Sequence, residues 1–338
     1  MSRNLRWCLS VSLLVAVCGG AARLMAQPAG SPPEQPAPWA LALLPDTQFY
    51  SQRWPQHFDA ECGWLAKHAK DLSLKYVIGL GDITNNNVPE QWVAAQHALG
   101  LLDGAVPLAL VPGNHDYVGN GGCLRRESLL DQYFSVDKFK ASPTFGGLYD
   151  QASLLNSYHL FHANRQDWLI LCLEFGPRDE VVAWANSVLD KYPQRNAVLV
   201  THAYLTNEGR RLGDKEKKVG HDPHSYPISS QAGGVNDGEE LWQKVIRQHA
   251  NVVFVFCGHV SGKSRLTSRD DAGNDVHQML VDYQSDTEGG QGFIRLLSFA
   301  ADGKSVDATS YSASLDRHRR DDANQFTLDL TKTFARPR

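Results

Sequence analysis

Apolar runs recur along this chain, and each breaks off at a short polar cluster. Trp39 to Pro45, Lys75 to Leu80, Val106 to Val111, Ala197 to Thr201 and Val252 to Cys257 are nearly continuous. Runs of that length without alternation predict strands covered on both faces. Between them the spacing changes. Gln56 to Asp71 places Phe58, Cys62, Leu65 and Ala69 on one helical face, and Pro89 to Leu102 does the same with Trp92, Ala95, Leu99 and Leu102. Val181 to Leu189 and Glu239 to His249 also read as helices. Strand and helix in alternation predict an α/β fold with right-handed parallel crossovers.

The middle and the end are less regular. Tyr158 to His162 and Asp167 to Glu174 read as neighbouring strands, and Asn207 to Asp237 as a long polar loop able to overhang a site. Val276 to Tyr283, Phe293 to Phe299 and Val306 to Ser312 predict three closing antiparallel strands. Gly289 to Gly292 reads as a hairpin turn, because it lacks the strand-to-helix setting of a nucleotide fingerprint. Arg317 to Arg320, followed by Asp321 and Asp322, reads as a solvated turn.

The first segment departs from this pattern. Arg3 and Arg6 precede the apolar run Trp7 to Cys18, and small residues lead to Ala26. A charged head, a short greasy centre and a small-residue exit predict a signal peptide over 1–26, cleaved after Ala26. Lipoprotein processing at Cys18 is disfavoured by the bulky Val17 before it. A Pro-rich linker over 27–38 then leads into one domain, 39–338. The product is expected to be periplasmic or secreted, without a membrane span. A formal net charge of −4 makes neither a nucleic-acid duplex nor an acidic membrane an obvious partner. Export leaves a Cys62–Cys123 bridge open, whereas Cys172 and Cys257 sit in apolar runs as buried thiols.

Chemistry concentrates where the strands stop. Asp46-Thr47-Gln48, Gly81-Asp82, Gly113-Asn114-His115-Asp116, Thr201-His202 and Gly258-His259 each follow such a run. Open α/β sheets bind ligands at strand C-termini, so these clusters converge on one edge. Asp46 and Asp82 are hard oxygen ligands, and the imidazoles of His202 and His259 suit borderline divalent ions. Asn114 offers a carboxamide oxygen. His115, directly after it, is free to face a substrate, with Asp116 placed to orient its ring. Any one of these is an ordinary cap or turn residue; in concert they predict a hydrolytic metal site. His221, His224 and Tyr226 and the Asp282-Tyr283-Gln284 strand end are open to substrate contact, although a solvated loop and packing by Tyr283 account for them better, and Glu174 is equally suited to line the cleft or to serve in a cap or ion pair.

The clusters resemble the calcineurin-like metallophosphoesterases, whose pattern runs Asp-x-His, Gly-Asp, Gly-Asn-His-Asp/Glu, His, then Gly-His-x-His. The resemblance covers Asp46 to Ser261 and implies a four-layer α/β/β/α sandwich holding two divalent metal ions (Mn, Zn, Fe or Mg). It implies that Asp82 bridges them, that Asn114, His202 and His259 complete one site, and that Asp46 belongs to the other. Asn114 and His115 would touch the substrate, with His115 stabilising the transition state or protonating the leaving oxygen. Gln48 and Ser261 stand where the family has histidines, both on the second metal. The Gln48 amide oxygen or a water is then expected to serve in a weaker site that favours a harder ion, and Asp-Thr-Gln also resembles a bacterial subgroup carrying that tripeptide. The resulting expectation is an exported phosphoesterase acting on a small phosphomonoester or phosphodiester. The alternative is a metal-binding scaffold that keeps the fold without turnover.

Overall fold

The computed structural model describes residues 35–213 and 220–331. The expected signal peptide and all but the last residues of the expected linker lie outside them. Among the described residues, fourteen strands form two seven-stranded sheets. In the first, β1 (Trp39–Leu44), β2 (Leu74–Gly79) and β3 (Leu108–Leu110) run parallel. In the second, β4 (Phe145–Leu148) and β5 (Ser157–Ala163) lead antiparallel into β6 (Gln166–Leu173). From β6 the sheet continues parallel through β7 (Asn196–Thr201) and β8 (Val252–Cys257). It ends with β9 (Gly262–Arg269) at its edge beyond β10 (Asp275–Asp282). The chain then returns to the first sheet, where β11 (Phe293–Phe299) pairs antiparallel with β1 and β12 (Ser305–Ser312) with β11. The short β13 (Arg317–Arg319) and β14 (Gln325–Asp329) flank β12.

Residue alternation in these strands builds the layers. On β1, Trp39, Leu41 and Leu43 face Trp168, Ile170, Val198, Phe254 and Met279 of the other sheet, forming the inter-sheet core. Ala40, Ala42 and Leu44 face outward instead. They meet Phe58, Cys62 and Leu65 of α2 (Pro55–His68), which follows the short α1 (Gln48–Gln52), and Trp92 and Leu99 of α3 (Pro89–Gly100). Beyond α3 come two short helices, α4 (Leu130–Tyr133) and α5 (Val136–Lys140). On the opposite side Leu169, Leu171 and Leu173 pack on Val181, Ala185 and Leu189 of α6 (Asp179–Lys191) and on Leu241 of α7 (Gly238–Lys244). Each central strand is apolar throughout because both of its faces are covered. The result is the four-layer sandwich. No helix among the described residues is long and apolar enough to cross a membrane.

Several local expectations fail for identifiable reasons. β10 pairs parallel with β8, and only its β9 side is antiparallel. The Gly289–Gly292 stretch is not a hairpin, because it connects β10 in one sheet to β11 in the other. A Cβ on Gly289 would come within 2.9 Å of Phe49, so the connection depends on close approach to α1. Arg317 to Arg319 pairs as a strand instead of forming a solvated turn. Cys62 and Cys123 are both buried free thiols in different clusters, so the open bridge is not formed.

Candidate metal centre

Five of the strands release the chain at one edge of the sandwich. β1 delivers Asp46 and Gln48, β2 Asp82, β3 Asn114 and His115, β7 His202 and β8 His259. All of these except His115 are buried. Two glycines permit the crowding. A Cβ on Gly113 would stand 2.1 Å from Asp82 Oδ1, and one on Gly258 would stand 2.0 Å from Asp46 Oδ1. Asp82 and His259 themselves adopt left-handed backbone conformations, with φ of +47° and +75°. Non-glycine residues take that conformation at a cost, and such strain collects at functional sites.

Hydrogen bonds to backbone carbonyls decide what each side chain presents. His202 donates Nδ1–H to the Leu80 carbonyl at 2.8 Å. Its Nε2 is therefore the lone-pair nitrogen, 3.2 Å from Asp82 Oδ1 but without hydrogen-bond alignment. Asn114 donates Nδ2–H to the Gly121 carbonyl at 2.7 Å, which leaves Oδ1 buried without a partner. His259 directs Nε2 at the His221 carbonyl, 2.9 Å away, and its backbone N–H reaches Asp46 Oδ2 at 3.0 Å. Ligand atoms of Asp82, His202 and His259 all lie within 4.8 Å of one another. Two buried atoms of the set, Asn114 Oδ1 and His202 Nε2, have no hydrogen-bond partner, which is costly unless a cation joins them. The set fits a divalent ion held by Asp82, Asn114, His202 and His259.

Charge marks the same cluster: burial presses the His202 imidazole down, but Asp82 beside it outweighs burial and raises it, so a cation bound there would displace a proton. Burial pushes the Asp82 carboxyl up, but the imidazoles of His202 and His115 outweigh it and hold Asp82 far below the carboxylate range. Burial and the neighbouring His202 press His259 down to about 3, so its imidazole is neutral, as a ligand must be. Asp46 is pushed well upward by burial, then by Asp282 and Asp82. Several buried carboxylates crowd one place.

Two expected roles change. Asp116 does not orient His115. Its Oδ2 accepts from the N–H groups of Gly113 (2.9 Å) and Ile83 (3.0 Å), and its Oδ1 from the Thr84 N–H (2.7 Å) and hydroxyl (2.9 Å). It braces the loop that carries Asp82. The ring of His115 is instead set by Nδ1–H donating to the Asn85 carbonyl at 2.7 Å, while its backbone N–H donates to Asp82 Oδ1 at 2.9 Å.

Gln48, expected as an oxygen ligand, turns its amide nitrogen to Asp82 Oδ2 at 3.3 Å and to Gln284 Oε1. Its own Oε1 is buried without a partner, so a half-turn of the amide would be needed to present oxygen there. Ser261 turns away to the Ser285 hydroxyl, 2.7 Å distant.

Two residues that the sequence left open to substrate contact, Gln284 and Tyr226, reach the site. Gln284 donates to Asp46 Oδ2 (3.2 Å) and Asp282 Oδ2 (2.9 Å), linking the end of β10 to the start of the site. Tyr226 places its hydroxyl 3.5 Å from His259 Nε2 and packs edge-on against Phe175. Glu174 lies outside the centre, paired with Arg126 (3.3 Å) and Arg178 (2.8 Å).

Comparison with known proteins agrees with this geometry. Residues 41–262 match the calcineurin-like phosphoesterase family. The chain is 34% identical over 282 residues to the uncharacterized protein YvnB of Bacillus subtilis (strain 168), covering 81% of this chain and 20% of that protein. It is 23% identical over 196 residues to a probable cyclic nucleotide phosphodiesterase of Colwellia psychrerythraea, covering 58% of this chain and 59% of that protein. It thus spans about a fifth of the first relative's length and under two thirds of the second's. Among solved structures, purple acid phosphatase PPD1 from yellow lupin superposes with a TM-score of 0.52 at 13% identity, over 87% of this chain and 54% of that one. That likeness is one of fold. With the family match spanning most of the chain and the ligand-type residues gathered at the strand ends, this protein belongs to the calcineurin-like phosphoesterases.

Proposed function

We propose that this chain is an exported, divalent-metal-dependent phosphoesterase that hydrolyses a small phosphomonoester or phosphodiester. The observation that carries the reading is the pair of buried, partnerless atoms Asn114 Oδ1 and His202 Nε2 beside Asp82. Bound divalent cations supply polarisation of the phosphoryl oxygen and an acidified water nucleophile. Asp82, Asn114, His202 and His259 would hold the firm position, and Asp46 would hold the weaker one. Because His115 Nδ1–H is tied to Asn85, its Nε2 is the nitrogen left to face the leaving oxygen, to which the doubly protonated ring would give a hydrogen bond or proton. The charged and apolar leader over residues 1–26 supports export.

A cyclic nucleotide diester is the first substrate to try, on the strength of the Colwellia relative's name. The competing reading, a metal-binding scaffold, draws on the outward-turned Ser261 and the amide of Gln48. One experiment separates them. Metal-free protein is given Mn, Zn, Fe, Co or Mg and assayed on p-nitrophenyl phosphate, bis-p-nitrophenyl phosphate and cyclic nucleotides. Turnover rising steeply with added metal is expected. Silence on every ester despite tight metal binding would leave the scaffold reading standing.

A further inference from the structure

Beside the segment that covers His259 lies a second group of ligand-type side chains. Asp222, His224 and Asp237 each bring one ligand atom within 4.8 Å of the others. His224 Nε2 lies 3.5 Å from Asp237 Oδ2 and 2.7 Å from Glu240 Oε2. A divalent ion with bonds of about 2.0–2.2 Å sets neighbouring ligand atoms roughly 3 Å apart, so these gaps are of the right size. Asp237 supplies the independent observation. As N-cap of α7 it needs one oxygen, and Oδ1 serves by accepting the Glu240 N–H at 2.9 Å. Its other oxygen, Oδ2, is fully buried, points into the group and has no hydrogen-bond partner. Burial pushes this carboxyl up to about 6, with Glu240 and Asp222 repelling its charge. A cap does not require that expense; a ligand position does.

We propose that Asp222, His224 and Asp237, with Glu240 Oε2 as a fourth donor, form a second divalent-cation site distinct from the centre at Asp82. One imidazole among carboxylates selects a borderline ion such as zinc over calcium or magnesium. The site ties the segment from 220 to 226 to the N-terminus of α7. That segment places the His221 carbonyl and the Tyr226 hydroxyl on His259, so the ion holds in place a wall of the catalytic cleft without touching substrate.

The test uses the full chain, stripped with chelator and titrated with Zn²⁺ by calorimetry, with retained zinc counted by elemental analysis. The wild type is expected to retain one equivalent more than His224→Ala or Asp237→Asn. Asparagine still caps a helix, so Asp237→Asn keeps α7, and a circular-dichroism melt checks it. His202→Ala should remove a different equivalent, and the double variant His202→Ala/Asp237→Asn should lose both. Equal zinc content and affinity in wild type, His224→Ala and Asp237→Asn would overturn the proposal, whatever the phosphoesterase assay shows.

Discussion

Asn114 and Gly121 are joined by a 2.7 Å hydrogen bond in which the side-chain amide donates to the backbone carbonyl. That bond fixes which end of the carboxamide enters the centre. It also links the metal position to the glycine loop on which His115 packs, since a Cβ on Gly121 would come 2.3 Å from the His115 ring. Asn114→Ala is therefore expected to weaken metal affinity by at least the roughly 10–100-fold that follows from losing a group that only orients a ligand. Asn114→Asp keeps an oxygen but loses the N–H donor, so it should retain metal while the loop loosens. Metal titration beside hydrogen exchange at Gly121 and Gly122 distinguishes the two variants. Equal metal loss in both would refute the assignment.

His115 and Asp116 are adjacent yet should fail differently. Asp116 alone satisfies three backbone N–H groups and the Thr84 hydroxyl in a buried loop. Asp116→Asn turns one acceptor into a donor facing donors, and each orphaned buried N–H costs about 1–3 kcal/mol. A loss of about 2–4 kcal/mol in a urea unfolding curve is expected. His115→Ala should leave the melting curve and metal content unchanged while turnover falls about 10²–10⁴-fold, the range for losing general acid catalysis. If Asp116→Asn were as stable as wild type, the bracing role would be wrong.

These two residues mark the limit of what the sequence discloses. The five site-forming strands were legible because each is an apolar run with both faces buried, and their polar endings then converge by topology alone. β9 was not legible. It is a polar edge strand, half exposed, with little hydrophobic signal to read. The role of Asp116 was equally hidden, since the tight turn Asn114–Asp116 folds its carboxylate back to Gly113 instead of along to His115. Gln284 lies 238 residues from Asp46, and no local spacing announces their contact.

A buried carboxylate away from the centre gives a pH prediction. Both oxygens of Glu61, on α2, are buried without partners, and burial pushes its carboxyl well above the ordinary range. The folded state therefore keeps Glu61 protonated where the unfolded chain has already ionised it. Its contribution to stability is fully present below the unfolded value and is lost as pH rises through the folded one. Glu61→Gln cannot ionise. The variant should match wild type in acid and become progressively more stable relative to it toward pH 8. Parallel stability profiles from denaturant titrations at several pH values would disprove this.

The two close-approach glycines should separate the two proposed metal positions. A methyl group at Gly258 collides with Asp46 Oδ1, whereas one at Gly113 meets both Asp82 Oδ1 and the Asp82 nitrogen, at 2.1 and 2.3 Å. Asp46 can swing on its side chain, but Asp82 is held by its own backbone and by the His115 N–H. Gly258→Ala should therefore cost the weaker position and leave the firm one, so that one equivalent of metal is retained at this centre after dialysis. Gly113→Ala displaces the carboxylate assigned to both positions and should lose all metal at this centre, with a drop in stability of about 1–3 kcal/mol from overpacking. Elemental analysis of both variants decides the matter, and full retention of metal by Gly113→Ala would remove Asp82 from the bridging role.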